Sequence, residues 1–257
     1  MNYEYISVKK EEPLSIITFN RPEMMNAYHK EMLLELKNVL EKFGREEEIK
    51  IIILTGMGSK SFSVGADLEW LEDIDPQGAR ELSRLGQSIC NNLEQSNKVT
   101  LAAINGYALG GGLELALACD LRLASSRARF GQPEVKLGLV PSFDGTQRLP
   151  RVIGMGRAKE MMFTGKIIDA SEAYDVGLIN RLVTPRDLIR SSRKLGEKIA
   201  GQSSEAVGLI KAAINHGIQE GHLSGSSYET EAFGTCFARD EHKDKMQELK
   251  GFIDRIK

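Results

Sequence analysis

Asn105-Gly-Tyr-Ala-Leu-Gly-Gly-Gly-Leu-Glu114 decides how this chain is read: three consecutive glycines lead from the apolar run Val99 to Ile104 into a carboxylate on a helical pattern. The apolar run reads as a buried strand, Gly110 to Gly112 as a tight turn, and Leu113 to Cys119 as the start of a buried helix. A turn without Cβ atoms lets another molecule approach the backbone closely. The first N–H groups of the helix and the positive end of its dipole favour negative charge at that spot. An oxyanion hole is one reading. Glycine triplets also occur where a helix packs tightly on a sheet, and these residues alone leave both open.

A second punctuated segment lies downstream. Phe130-Gly-Gln-Pro-Glu134-Val-Lys-Leu-Gly-Leu-Val-Pro141 carries another carboxylate behind the rigid Pro133. Two carboxylates now flank one candidate hole. Close carboxylates in a desolvated pocket do not both ionise readily, so the pair is expected to hold one proton over some pH range, the state acid–base catalysis uses. The bland alternative makes Glu114 and Glu134 surface or helix-capping residues.

Working outward, Ile6 to Lys9 and Ser15 to Phe19 read as strands joined at Pro13, and Met32, Leu36, Leu40 and Phe43 recur at helical spacing as core positions. Ile51 to Thr55 is a continuous apolar strand, Leu82, Leu85, Ile89 and Leu93 mark another helix, and Leu121 to Ala124 is a short strand. Arg157 to Thr164 reads as a short helix, and Asp169-Ala-Ser-Glu172 as a capping box opening a helix that stops near Gly177. The core is therefore expected to be α/β. From about Pro185 onward the reading is wholly helical, which suits a packing or assembly appendage more than a second catalytic unit. The expected division is a catalytic core over residues 1–200 and a helical region over 201–257.

With 257 residues, 41% of them hydrophobic, the chain is long enough for one large core or one core plus a small appendage. Lys and Arg total 34 against 36 Asp and Glu, so the net charge of −2 gives no general reason to expect nucleic-acid or membrane partners. Cys90, Cys119 and Cys236 are an odd, scattered set that suits reduced thiols, and no apolar run approaches a membrane span. The N-terminal residues show neither a signal core nor a transit pattern, so a cytoplasmic location is expected, although a processed form would look the same. His29, His216, His222 and His242 fall at no metal-ligand spacing, and neither a P-loop nor a dinucleotide fingerprint is present. No metal and no redox cofactor are expected.

Taken together, Ser63-Val-Gly-Ala-Asp-Leu68, Asn105 to Asp120, Phe130 to Pro141, Gly145-Thr-Gln-Arg-Leu149 and Phe163-Thr-Gly165 resemble the enoyl-CoA hydratase/isomerase family, the crotonase superfamily. The resemblance runs in order from roughly Ile6 to Phe252. It implies a spiral of ββα units with a C-terminal helical trimerisation region, assembled as a homotrimer or a dimer of trimers. It also implies an acyl-CoA substrate, coenzyme A being part of the substrate and not a cofactor. Carried over by motif, Ala66 and Gly111 would supply the two N–H groups for the thioester oxygen. Glu114 and Glu134 would share the acid and base work of hydration. Ala27, Asp67, Leu68, Gly110, Pro141, Phe143 and Asp144 would lie along the substrate path. Relatives that only isomerise double bonds commonly lack one of the two glutamates, so retention of both favours hydration, a carbon–oxygen lyase of fatty acid metabolism.

The chain departs from the family pattern at Ser142-Phe-Asp-Gly145, where a glycine-rich turn is usual. Asp144 is read as a cap on the following helix and Phe143 as a residue reshaping the acyl pocket. The alternative gives Asp144 a chemical role in a cyclic dienoyl-CoA hydratase, double-bond isomerase, hydrolase or decarboxylase. Glu69 and Trp70 stand where relatives often carry a basic residue for the nucleotide phosphates, leaving Arg21, Arg255 and Lys257 as candidates. An RNA-binding relative would need a lysine-rich helix, but Glu31 to Lys50 has an acidic field.

Overall fold

The structure is a computed structural model that describes residues 3–238 and 240–256, with the side chains of all of these except 248, 252 and 254–256. Strands β1 (Ile6–Glu11) and β2 (Leu14–Phe19) form an antiparallel hairpin. Helix α1 (Lys30–Arg45) follows, capped by the His29 ring, and buries the predicted Met32, Leu36, Leu40 and Phe43 together with Leu33 and Val39. Each such apolar side chain contributes about 1.5–3 kcal/mol relative to exposure.

A repeating pattern of two strands and a helix then sets in. Strand β3 (Ile51–Gly56) is buried at every position and leads to β4 (Ser61–Ser63), then to the short α2 (Leu68–Glu72) and to α3 (Pro76–Gln95). Strand β5 (Val99–Ile104) leads to β6 (Tyr107–Leu109) and α4 (Gly111–Ala118), and β7 (Leu121–Ser125) leads to β8 (Arg129–Gly131). Next come α5 (Gly145–Ile153), α6 (Met155–Thr164), β9 (Ile167–Asp169), α7 (Ala170–Asp175), β10 (Arg181–Val183) and α8 (Leu188–Ala200). Asp169 accepts the Glu172 N–H at 2.9 Å, as the capping box predicts.

First strands of each repeat join one sheet, in the order β1-β2-β3-β5-β7-β10, parallel from β2 onward. Second strands join a smaller sheet, β4-β6-β8-β9, in which β4, β6 and β8 run parallel. Continuous apolar runs such as β3 and β5 follow from this arrangement, because a parallel sheet is covered on both faces. Two asparagines, Asn26 buried and Asn105 partly so, fix the step from one sheet to the other: Asn26 Nδ2 and Asn105 Nδ2 both donate to the Ser61 carbonyl at 2.9 Å.

Backbone contacts divide the chain into two units, residues 1–197 and 198–257. In the second, α9 (Ser204–Glu220) and α10 (His222–Cys236) form a helical hairpin, followed by α11 (Glu241–Ile256). Gly217 and Gly225 meet in the hairpin, where a Cβ on Gly225 would lie 2.6 Å from the Gly217 Cα. Among the described residues no helix is long and apolar enough to cross a membrane.

Candidate active site

Three neighbouring parallel strands of the smaller sheet end at one edge. Past its C-terminal end, β4 delivers Gly65 and Ala66, β6 delivers Gly110 and helix α4, and β8 delivers Gln132, Pro133 and Glu134. These ends open on a cleft of about 440 Å³, which Ala66, Gly111, Glu114 and Glu134 all line. The four residues expected from sequence to carry chemistry thus meet in one place.

Two N–H groups are left unpaired there by the local geometry. Tyr28 forms a parallel bridge with Ala66 in which its N–H donates to the Gly65 carbonyl and its carbonyl accepts from Asp67, both at 2.9 Å. That pattern uses the neighbours of Ala66 and leaves its own N–H without a partner among the described residues. Gly111 is the first residue of α4, so its N–H has no intrahelical acceptor. The two lie together, since a Cβ on Gly65 would sit 3.3 Å from the Gly111 nitrogen. Gly110, at φ 50° and ψ −130°, is the residue of the triplet that a turn requires to be glycine; Gly111 and Gly112 are already helical.

Helix α4 is buried on all sides, and Glu114 in its first turn is 1% exposed. Its Oε1 accepts the Phe143 N–H at 2.8 Å and the Gly145 N–H at 2.6 Å, while Oε2 has no partner among the described residues. Burial raises the Glu114 pKa, and the backbone N–H groups of Gly145, Phe143 and Ser142 oppose that rise. Glu134 is pushed up to about 7 by burial, with the Glu114 charge adding to the effect. The buried Gln132 amide, with its nitrogen turned toward Glu134, donates to Oε1 at 2.8 Å and Oε2 at 3.1 Å.

The loop that holds Glu114 is itself held by α3. Arg148, from the Thr-Gln-Arg-Leu motif, donates to the Phe143 carbonyl, Asn91 Oδ1 and Glu94 Oε2 at 2.8–2.9 Å. Ser83 Oγ donates to the Ser142 carbonyl at 2.7 Å. Asp144, at φ 67°, turns the chain so that the N–H groups on either side of it converge on one carboxylate oxygen, an anion-binding concavity of backbone donors.

Several expectations are corrected by this arrangement. Asp144 stands at the N-cap position of α5, but its side chain makes no capping bond; it lines the cleft, with Oδ2 3.6 Å from Arg148 Nη1. The Phe143 ring is fully buried, stacks on Tyr28 at 5.3 Å and is not among the cleft-lining residues, so the acyl pocket is not reshaped by it directly. Asp67 and Ala27 are buried off the cleft: Asp67 caps α2 and pairs with Arg21 at 3.0 Å, and the Ala27 carbonyl accepts from the same guanidinium at 2.9 Å. Arg21 Nη1 is thereby engaged in a structural pairing. The Arg255 side chain and Lys257 lie outside the described residues. Leu68, Gly110 and Pro141 do line the cleft.

Sequence reasoning missed four contributors. Gln132 sits inside the quoted segment, where a buried polar residue two before a glutamate was the available signal. The Phe143 and Gly145 N–H groups carry no side-chain signature. Tyr28, which lines the cleft, reads in sequence as an ordinary apolar residue before a helix.

The sequence model of enoyl-CoA hydratase/isomerase matches residues 9–257. A crotonyl-CoA hydratase of Syntrophomonas wolfei is 44% identical over 96% of this chain and 95% of that protein. A short-chain-enoyl-CoA hydratase of Clostridium acetobutylicum is 41% identical over 99% of this chain and 100% of its own length. The crystal structure of an enoyl-CoA hydratase from Bacillus anthracis superposes with a TM-score of 0.93 at 37% identity, covering 96% of both chains.

Proposed function

Since the chain belongs to the enoyl-CoA hydratase/isomerase family, we propose that it adds water across the 2,3 double bond of a short-chain enoyl-CoA thioester to give the 3-hydroxyacyl-CoA. The observation that carries the reading is the meeting of two unpaired N–H groups with two carboxylates of raised pKa on one cleft. The enzyme is an enoyl-CoA hydratase of the crotonase fold.

Attack of water at C3 drives charge onto the thioester oxygen, where the Ala66 and Gly111 N–H groups stabilise it as it develops. Glu114 is the base. Its two backbone N–H bonds favour the ionised form, which takes one proton from the attacking water. Glu134, held near neutrality with its proton, delivers that proton to C2 as the enolate collapses. One proton enters the pair and one leaves, so the pair ends the cycle with the charge it began with. Acid, base and oxyanion donors are all supplied by the chain, and no metal or redox cofactor is invoked.

Purified protein and crotonyl-CoA test the reading through loss of the conjugated enoyl-thioester absorbance; persistence of that absorbance would sink short-chain hydration. A bell-shaped pH profile is also expected. Hydration needs Glu134 protonated, so kcat/KM should fall as pH rises through about 7. It also needs Glu114 ionised, so the acid limb should lie above the ordinary carboxylate range. A rate that climbs steadily from pH 6 to 9 would reverse the assignment of acid and base.

Asp144 on the cleft wall favours one second reading, a family activity in which its carboxylate takes part. Asp144→Asn distinguishes them, because Asn tolerates the same backbone conformation. Under the hydration reading the variant keeps crotonyl-CoA turnover within about tenfold, a step of about 1.4 kcal/mol. A near-complete loss would bring the carboxylate into the chemistry.

The same proposal extends to assembly and setting. Residues 1–200 form the catalytic core and 201–257 a helical region for a homotrimer or dimer of trimers, in the cytoplasm, with no nucleic-acid or membrane partner. Ile210, Ile214 and Ile218 support the assembly reading, since they recur every fourth residue on one exposed face of α9.

A further inference from the structure

Tyr28 is 3% exposed, yet it lines the cleft. Its position is fixed from three sides. The backbone brackets Ala66 through the bonds to Gly65 and Asp67, and the ring lies on Phe143 with an interplanar angle of 22°. At its far end the hydroxyl rests against the Cα of Gly111, so closely that a Cβ on that residue would overlap it. One residue therefore spans from the residue that presents one oxyanion donor, through its backbone, to the residue that presents the other, through its hydroxyl.

The hydroxyl makes no hydrogen bond to any described residue. Because Tyr28 lines the cleft, its hydroxyl is open to an acceptor that enters there. Glu114 lies close enough to act on Tyr28 electrostatically but accepts nothing from it. Burial and the nearby glutamates hold the phenol well above its ordinary pKa, so it remains a donor throughout the working range. What is left to receive that donor is an acceptor brought in by the ligand.

We propose that the Tyr28 hydroxyl is a third hydrogen-bond donor to the thioester carbonyl oxygen, beside the N–H groups of Ala66 and Gly111. The inference rests on the hydration reading for the identity of that oxygen. As enolate charge builds there, the phenol is the one of the three donors that belongs to a side chain, which makes it removable without touching the backbone.

Tyr28→Phe deletes the hydroxyl while keeping the ring on Phe143. Two quantities should be followed: turnover of crotonyl-CoA, and the red shift in absorbance of bound 2,4-hexadienoyl-CoA, which reports polarisation of the thioester carbonyl. Loss of one of three donors should lower kcat by about 10²-fold, the low end of what one oxyanion donor supplies, and should shrink the red shift. A purely structural role would leave that spectrum unmoved. A variant with the full wild-type red shift overturns the proposal even if turnover falls, because the hydroxyl would then act on the water or on packing. A wild type that shifts the dienoyl spectrum but hydrates no enoyl-CoA fails the hydration reading alone. Because the shift is read on the bound complex, a misfolded variant announces itself by failing to bind.

Discussion

Glu114→Gln and Glu134→Gln should each lower kcat for crotonyl-CoA hydration by about 10²- to 10⁴-fold, the range general acid–base catalysis supplies. Both substitutions keep volume. In Glu114→Gln the amide oxygen still accepts from Phe143 and Gly145, and the amide nitrogen occupies the place of the unpartnered Oε2, so the fold has no reason to suffer. The loss is then chemical, from removing the group that takes the water's proton. In Glu134→Gln the proton donor to C2 is lost, and the alkaline limb near pH 7 should vanish from the residual activity.

Stability moves the other way for Glu134. Its folded-state pKa of about 7 lies above the ordinary carboxylate value of 4.5, so between these limits the folded chain binds more protons than the unfolded one, and stability falls as pH rises. The penalty is complete above about pH 7. Glu134→Gln should accordingly gain more in Tm over the wild type at pH 8 than at pH 5. Steady-state kinetics with thermal melts at those two pH values checks both halves. A variant with wild-type turnover would remove that glutamate from the mechanism.

Gly111→Ala carries the second large effect. The new methyl would overlap the Tyr28 hydroxyl and fall 2.7 Å from its Cζ. Tyr28 cannot withdraw, because its ring is stacked on Phe143 and its backbone is bridged to Ala66. The start of α4 must therefore shift, carrying with it both the Gly111 N–H and, three residues on, Glu114. Removal of one well-placed oxyanion donor costs about 10²- to 10³-fold in kcat, and the loss should be at least of that order. Overpacking costs about 1–3 kcal/mol, so Tm should drop by several degrees, at about 2–4 °C per kcal/mol for a chain of this size. Wild-type turnover in a fully folded Gly111→Ala protein would mean that the N–H at this position does not hold the substrate oxygen.

The parts of the fold legible in sequence were those long enough to show a period. Strand β5 declares itself through an unbroken apolar run, and helices α1 and α3 through apolar residues at helical spacing. Strands β6 and β8, at three residues each, are too short for alternation to show, so the smaller sheet had no signal of its own. At the site, Glu114 and Glu134 were found because glycine and proline punctuate the chain around them. Asp144 and Phe143 were misjudged because their side chains suggested the roles, whereas their contribution to Glu114 is made by backbone conformation and N–H groups. Arg21 looked available as an exposed cation would, and only the fold shows Asp67 beside it.

The smaller sheet has one more consequence. Adjacent strands lie about 4.8 Å apart, so stepping from β4 to β6 to β8 advances the site in fixed increments, roughly 10 Å from the strand that presents Ala66 to the one that presents Glu134. That span accommodates a carbonyl at one end and an attacked carbon with its water at the other. The sheet is a ruler whose graduations are backbone hydrogen bonds. Distances between the reacting groups are set by a spacing no side chain can alter, while each graduation ends in its own loop. The loop after β8 can therefore be rewritten to change the proton chemistry without moving the thioester, and the hole after β4 and β6 can be kept as a fixed origin for reactions of different outcome.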